Sequence, residues 1–207
     1  LQNCVLHSQQ LTEQTHHPLQ LSSAHSVQSL QVHPLMYPVN MSATHLFLML
    51  LTSKMELIIQ KAVELGVTAI VPVAMSRCIV KLDGKDAAKK QARWQKIADE
   101  AAGQSGRGII PVVETPISWK QALARLSSEN TLLCYEGGGA PIGSLVTPAD
   151  TAVSLVVGPE GGFDPAEVEA VTAAGGRIAT LGPRILRCET APLAAIAVLM
   201  EKSGNME

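Results

Sequence analysis

The 207-residue sequence predicts an α/β protein: a mostly parallel sheet with helices on both faces. Three observations carry that expectation. Short apolar, β-branched runs such as 153–157 and 177–181 alternate with segments of helical period. Each of those two runs breaks into Gly and Pro, as in Gly158-Pro159-Glu160-Gly161-Gly162-Phe163 and Leu181-Gly182-Pro183. The hydrophobic fraction is 46% with only 3% aromatics, so Leu, Ile, Val and Ala must fill an ordinary globular core.

Residues 1–53 differ in composition from the rest. They hold all six histidines, seven glutamines, one acidic residue and no Lys or Arg. The expected division is therefore an atypical N-terminal segment, 1–53, and an α/β domain, 54–207. The histidine spacings (7, 16, 17, 25, 33 and 45) match no metal-ligand motif, so no metal site is expected. Leu46 to Leu51 is apolar but too short to span a bilayer. The four cysteines, at 4, 78, 134 and 188, form no C-x-x-C pair, which suits a reducing compartment.

From Lys54 the pattern is regular. Met55, Leu57, Ile58, Ala62 and Leu65 keep helical spacing, and Gly66 takes the position just past the helix end. A strand follows over 68–73, with Pro72 marking its end, and a shorter one over 78–82. A long helix is expected over 86–104, with Ala87, Ala88, Ala92, Trp94, Ile97, Ala98 and Ala101 on its apolar side. Lys89, Lys90, Arg93 and Lys96 form its charged face. Next come a strand over 109–113, a helix capped by Ser118 and ending near Leu126, and a strand over 131–135. After the 153–157 strand, Pro165 opens a helix that stops at Gly175. The strand 177–181 and an alanine-rich helix over 190–200 complete the order.

A strand ending in a glycine turn presents bare backbone groups at the carboxyl edge of a sheet, where open α/β folds bind ligands. Neither a G-x-G-x-x-G nor a G-K-[ST] pattern is present, so dinucleotide and P-loop fingerprints are excluded. The second loop is chemically dense: residues 184–190 pack two Arg, one Glu and one Thr into an otherwise apolar region. Net charge is −2, but Arg77 to Arg107 carries eight Lys/Arg against four Asp/Glu. That local excess is either a solvated helix face or an RNA-facing patch.

GPEGGF followed by Leu181-Gly182-Pro183-Arg184-Ile185-Leu186-Arg187-Cys188-Glu189-Thr190-Ala191 resembles the signature of the ribosomal RNA small subunit methyltransferase E family, of the SPOUT class. The stretch from Lys54 to Val67, Arg77-Cys78 and Gln104-Ser105-Gly106-Arg107 share the resemblance, which covers roughly residues 53–202. It implies a C-terminal trefoil knot, a homodimer, a cytoplasmic location without membrane contact, and the cofactor S-adenosylmethionine. It also implies the small ribosomal subunit and its 16S RNA as partner, methylated at uridine N3. The family begins with a PUA-like β-barrel, which residues 1–53 do not resemble; a shifted reading frame would produce such a change.

Three sheet-edge loops, after Tyr135, Val157 and Leu181, are implied to form the cofactor pocket. Leu133, Leu181, Ile185 and Leu186 would supply the adenine slot and its main-chain groups, and Tyr135, Glu136 and Gly182 are further expected cofactor contacts. Gly158, Gly161 and Gly162 would let the main chain close around sugar and methionine, with φ > 0 permitted there, and Pro159 and Glu160 between them are expected cofactor contacts. Cys188, Thr190 and Ala191 complete the expected wall. Arg184 and Arg187 are the candidates for stabilising charge on the uracil oxygens or for gripping phosphate, and Glu160 and Glu189 are the nearby carboxylates that either act as base, pair with those arginines or cap the following helix. Arg77, Lys89, Arg93 and Arg107 are the candidate RNA contacts. The family usually has Glu where this chain has Gly103, which puts the neighbouring Arg107 in question. Two other readings stay open: an RNA-binding or assembly factor that keeps the fold without turnover, and a nucleotide-binding α/β enzyme.

Overall fold

A computed structural model describes residues 44–50, 52–75, 84–126, 130–150 and 152–206, all within one compact unit, Pro34–Glu207. The element order is β1 (Thr44–Leu50), α1 (Met55–Glu64), β2 (Ala69–Ala74), α2 (Gly84–Gln104), β3 (Val112–Val113), β4 (Ile117–Ser118) and α3 (Trp119–Leu126). Then follow β5 (Thr131–Cys134), β6 (Ala140–Pro141), a 3-10 turn at Ile142–Ser144, β7 (Ala152–Val157), α4 (Pro165–Ala173), β8 (Arg177–Thr180) and α5 (Thr190–Lys202). The strands form one sheet in the order β3-β2-β1-β7-β5-β8-β6, with β4 also paired to β2. Every pairing among the described residues is parallel, as the alternation of strands and helices predicts.

The main departure is β1. Its residues fall in the segment assigned outside the α/β domain, yet β1 lies between β2 and β7 and pairs with both. The sheet therefore begins at Thr44, ahead of the expected boundary at 53. An isolated apolar run of this length has no periodic signal that separates a buried strand from a core helix.

Pro72 does not end β2; the strand continues to Ala74. β2 pairs with β1 along its length, but its other edge is paired only at its ends, by β3 at Ala69–Ile70 and by β4 at Val73–Ala74. Pro72 falls in the gap, where a residue without an N–H is tolerated. The strand expected over 109–113 shrinks to Val112–Val113, and Ile109 and Ile110 stay exposed. Pro111 cannot donate to a ladder. Instead Gln95 of α2 donates its Nε2 to the Pro111 carbonyl at 3.0 Å and accepts from the Val113 N–H at 2.8 Å. The strand expected over 78–82 lies outside the described residues.

The helix ends follow their local chemistry. Ser118 and Gln121 exchange hydrogen bonds across the first turn of α3. Asp164 and Glu167 form the reciprocal box that starts α4, with Pro165 in its first turn. In α2, Trp94, Ala98 and Ala101 are buried as expected, whereas Ala88 and Ala92 face solvent. The helices pack in two groups, α1 with α2 and α5, and α3 with α4. Between them and the sheet lie fully buried Ile58, Ile59, Ile70, Leu126, Leu132, Leu133 and Ile196. Each such side chain contributes about 1.5–3 kcal/mol of transfer free energy.

Because the strands run parallel, their carboxyl ends share one edge. Register aligns Met49 with Val157, Val157 with Cys134 and Cys134 with Ala179. β1, β7, β5 and β8 are neighbours in the sheet, so the segments that follow them emerge side by side.

Candidate functional site

The segments after β5, β7 and β8 line a cavity of about 900 Å³, within the range of small-molecule sites. Its walls come from 134–138 after β5, 157–163 after β7 and 180–191 after β8. Phe163 anchors the middle loop. Its ring is buried and packs against Trp119 of α3, with centroids 6.4 Å apart. A Cβ on Gly158 would sit 3.0 Å from that ring, so the glycine lets the loop fold over its own anchor.

The demand for a left-handed backbone falls on Gly162, with φ +67°, and not on Gly158. A Cβ on Gly162 would also lie 2.6 Å from Oε1 of Glu136, which places the Glu136 carboxylate directly against the glycine loop.

Most of the sequence candidates come together here. Tyr135, Glu136, Gly158, Pro159, Glu160, Gly161, Gly162, Leu181, Gly182, Ile185, Leu186, Cys188 and Ala191 line the cavity, as do Arg184, Arg187 and Glu189. Leu133 does not: it is fully buried in β5 and packs in the core, so its expected place in an adenine slot is corrected. Thr190 is exposed at the start of α5 and is also off the wall. Seven further residues line the cavity: Cys134, Gly137, Gly138, Val157, Phe163, Thr180 and Pro183. Their signal was available, since each flanks a strand end that the sequence already marks.

Glu160, on the cavity wall, is also tied to the segment after β1. Its Oε1 accepts hydrogen bonds from the hydroxyls of Thr52 and Ser53 and from the Ser53 N–H. Burial alone would raise its pKa; the bonds from Thr52, its own N–H and Ser53 together outweigh that and hold the carboxyl below its usual value. Glu189 is also lowered, first by its own backbone N–H and then by the Cys188 thiol, with Arg187 and Lys54 adding attraction. Both groups are therefore ionised near neutrality and weak as bases. Burial pushes the Cys188 thiol up, Thr52 opposing and Glu189 and Glu160 reinforcing it, so Cys188 is no activated nucleophile. Burial pushes the Cys134 thiol to about 12.

Thr52 and Ser53 were missed because they follow β1. The available signal was the same as at the other edges, an apolar run broken by small polar residues.

The RNA candidates fare differently. Arg107 is corrected: its guanidinium donates to the carbonyls of Val63 (2.9 Å), Val67 (2.6 Å) and Gly66 (3.1 Å). It caps the end of α1 rather than reaching outward, and burial lowers its pKa. Gly103 has open space around it, and Arg107 takes its bonds from the backbone without a carboxylate at that position. Arg93 is exposed but paired with Glu56 at 2.7 Å, a contact of small energetic weight. Lys89 is exposed on α2. Arg77 lies outside the described residues. Among the described residues, no group of His, Cys, Asp and Glu is arranged for a metal, and no helix is long and apolar enough to cross a membrane.

The family model for the RNA methyltransferase domain matches residues 38–200, β1 included. Ribosomal RNA small subunit methyltransferase E of Bacillus subtilis is 44% identical over 154 residues, covering 70% of this chain and 60% of that protein. This chain thus spans less than two thirds of that relative's length. The same-named protein of Neisseria gonorrhoeae, solved bound to S-adenosyl methionine, superposes with TM-score 0.71 at 41% identity, over 77% of this chain and 66% of that one. A Legionella pneumophila protein solved with the bound cofactor SAM gives TM-score 0.72 at 32% identity, over the same shares of the two chains. With its three-loop cavity at the carboxyl edge of a parallel sheet, the chain belongs to the RNA methyltransferase domain family, among relatives of the small subunit methyltransferase E type that its sequence resembles.

Proposed function

We propose that this chain is the methyl-transferring part of an S-adenosylmethionine-dependent enzyme acting on N3 of a uridine in 16S RNA of the small ribosomal subunit. The observation that carries the proposal is the cavity that GPEGGF and the Arg184–Glu189 stretch line together with Glu136. The residues suit the cofactor. Val157, Phe163, Leu181, Ile185 and Leu186 offer apolar wall, and the glycine turns offer main-chain donors and acceptors. When bound, S-adenosylmethionine supplies a sulfonium methyl and leaves as a neutral thioether.

The protein's own part is alignment and charge. N3 gives up its weakly acidic proton to solvent and its electron pair forms the bond to the methyl, so negative charge builds on the uracil oxygens until that bond is made. Arg184 and Arg187, both exposed on the cavity wall, are placed to stabilise that charge. Glu189 lies on the same wall, but a carboxyl held below its usual value is a poor acceptor for a weakly acidic proton. In this reading positioning supplies much of the rate, and the arginines supply the electrostatics. The resemblance extends the proposal to a trefoil-knotted C-terminal segment, a homodimer, and a cytoplasmic site of action.

Calorimetry with S-adenosylmethionine and with ATP, followed by methyl incorporation into isolated small subunits, tests the proposal. Binding of the first ligand, with a methyl mapped to uridine N3, is expected. Binding of ATP alone would instead make this a nucleotide-binding protein. Cofactor and RNA binding without turnover would make it an assembly factor.

A further inference from the structure

Thr52 stands at the junction between β1 and α1, outside the wall of the cavity, yet its hydroxyl is the point where the two main loops meet. A threonine hydroxyl has one proton and two lone pairs. The proton goes to Oε1 of Glu160 in the GPEGGF loop. One lone pair faces the N–H of Lys54 at 3.3 Å, at the start of α1. With that proton on Glu160, the thiol of Cys188, in the loop after β8, is the donor to the second lone pair of Thr52, its Sγ 3.5 Å away; Oε2 of Glu189, at 3.3 Å, competes for the same thiol proton. Thr52 itself is only 4% exposed, whereas Glu160 lies largely in solvent. The bridge therefore joins residues 108 and 136 positions away in the chain through one buried oxygen.

We propose that Thr52 is a positioning residue that latches the GPEGGF loop to the Arg184–Glu189 loop in the shape that takes the cofactor. The inference rests on the proposed S-adenosylmethionine site but makes a claim of its own about loop order. Ser53 holds Glu160 as well, through its hydroxyl at 3.1 Å and its N–H at 3.3 Å, and both of these bonds go to the GPEGGF loop. Ser53 therefore tethers one loop and Thr52 tethers two. Losing the Thr52 hydroxyl leaves Glu160 on the Ser53 bonds alone and breaks the link to Cys188, so the cost appears as loop disorder rather than global unfolding. Apparent affinity then falls by the fraction of molecules whose loops remain in register.

Thr52→Val removes the hydroxyl and keeps the shape, Thr52→Ser restores the hydroxyl, and Ser53→Ala is the one-loop control. In Thr52→Val without any ligand, amide exchange is expected to quicken in both loops, including at Gly162, which donates to Pro159, and at Ala191, which donates to Arg187. In Ser53→Ala only the first loop should respond. The Kd and KM for S-adenosylmethionine should rise about three- to tenfold in Thr52→Val with kcat nearly unchanged, and return in Thr52→Ser. Glu160→Ala, on an exposed residue, should raise Kd similarly, and the double variant should add little. Unchanged exchange in both loops of Thr52→Val overturns the latch whatever the ligand. Faster exchange with unaltered cofactor Kd overturns its role in binding. A wild-type chain that binds no S-adenosylmethionine, yet shows the exchange pattern, refutes the cofactor site while leaving the mechanical link between the loops standing.

Discussion

Gly162→Ala tests the glycine loop through one backbone angle. At φ +67° an alanine is strained by about 1–2 kcal/mol, and it carries a Cβ 2.6 Å from Oε1 of Glu136. The second problem is minor, because the atom in the way is the end of an exposed, flexible side chain. The first cannot be avoided without changing the loop. If the loop holds its shape, the strain lowers stability and Tm drops by about 2–8 °C, at the 2–4 °C per kcal/mol expected for a chain of this size. If the loop relaxes, stability is kept and the Kd for S-adenosylmethionine rises about 5- to 30-fold. Calorimetry and thermal unfolding, read together, should show the loss divided between them. Gly106→Ala is the matched control: φ is +69° there, nothing lies within 4 Å, and the site is outside the cavity. It should lose stability with no change in affinity. Glu136→Ala added to Gly162→Ala should not restore what was lost. If neither quantity moves in Gly162→Ala, or if the second substitution rescues it fully, the backbone argument is wrong.

Arg187→Ala should lower methyl transfer roughly two orders of magnitude with little change in cofactor Kd, measured by single-turnover kinetics against calorimetry. Arg107→Ala strips three carbonyls at the end of α1 of their charged donor and should cost about 1.5–3 kcal/mol in denaturant unfolding, with cofactor affinity intact. The lowered pKa of Glu160 sets the direction of acid sensitivity. Its stabilising bonds are fully present above the unfolded glutamate value of about 4.3 and are lost as pH falls through the lower folded value, so Glu160→Gln should flatten that acid limb. Deleting residues 1–50 removes β1, a strand with partners on both sides, and should abolish cooperative unfolding. Deleting residues 1–33 should leave cofactor affinity within a few-fold, since the cavity wall begins at Cys134. Replacing that segment with a basic barrel should raise methylation of small subunits, because residues 1–53 carry no Lys or Arg for phosphate contacts.

What the sequence determined by itself was local chemistry. Gly66, Gly175, Ser118 and Pro165 mark helix ends because capping depends on a few adjacent residues, and each was legible at its position. The strands that end in GPEGG and LGPR were equally plain, as was the crowding of polar groups after them. Tertiary structure decided what no neighbour in sequence could. β1 became a central strand because β2 and β7 pair with it, although its own run of residues carries no periodic signal. Leu133 went to the core and Tyr135 to the cavity because the first lies within β5, packed on both faces, and the second just past its end. Arg107 turned inward because the end of α1 lies beside the end of α2 and leaves carbonyls to be satisfied. Thr52 met Glu160 and Cys188 because parallel pairing brings the ends of distant strands to one edge, and the order of strands in a sheet is a property of the whole chain.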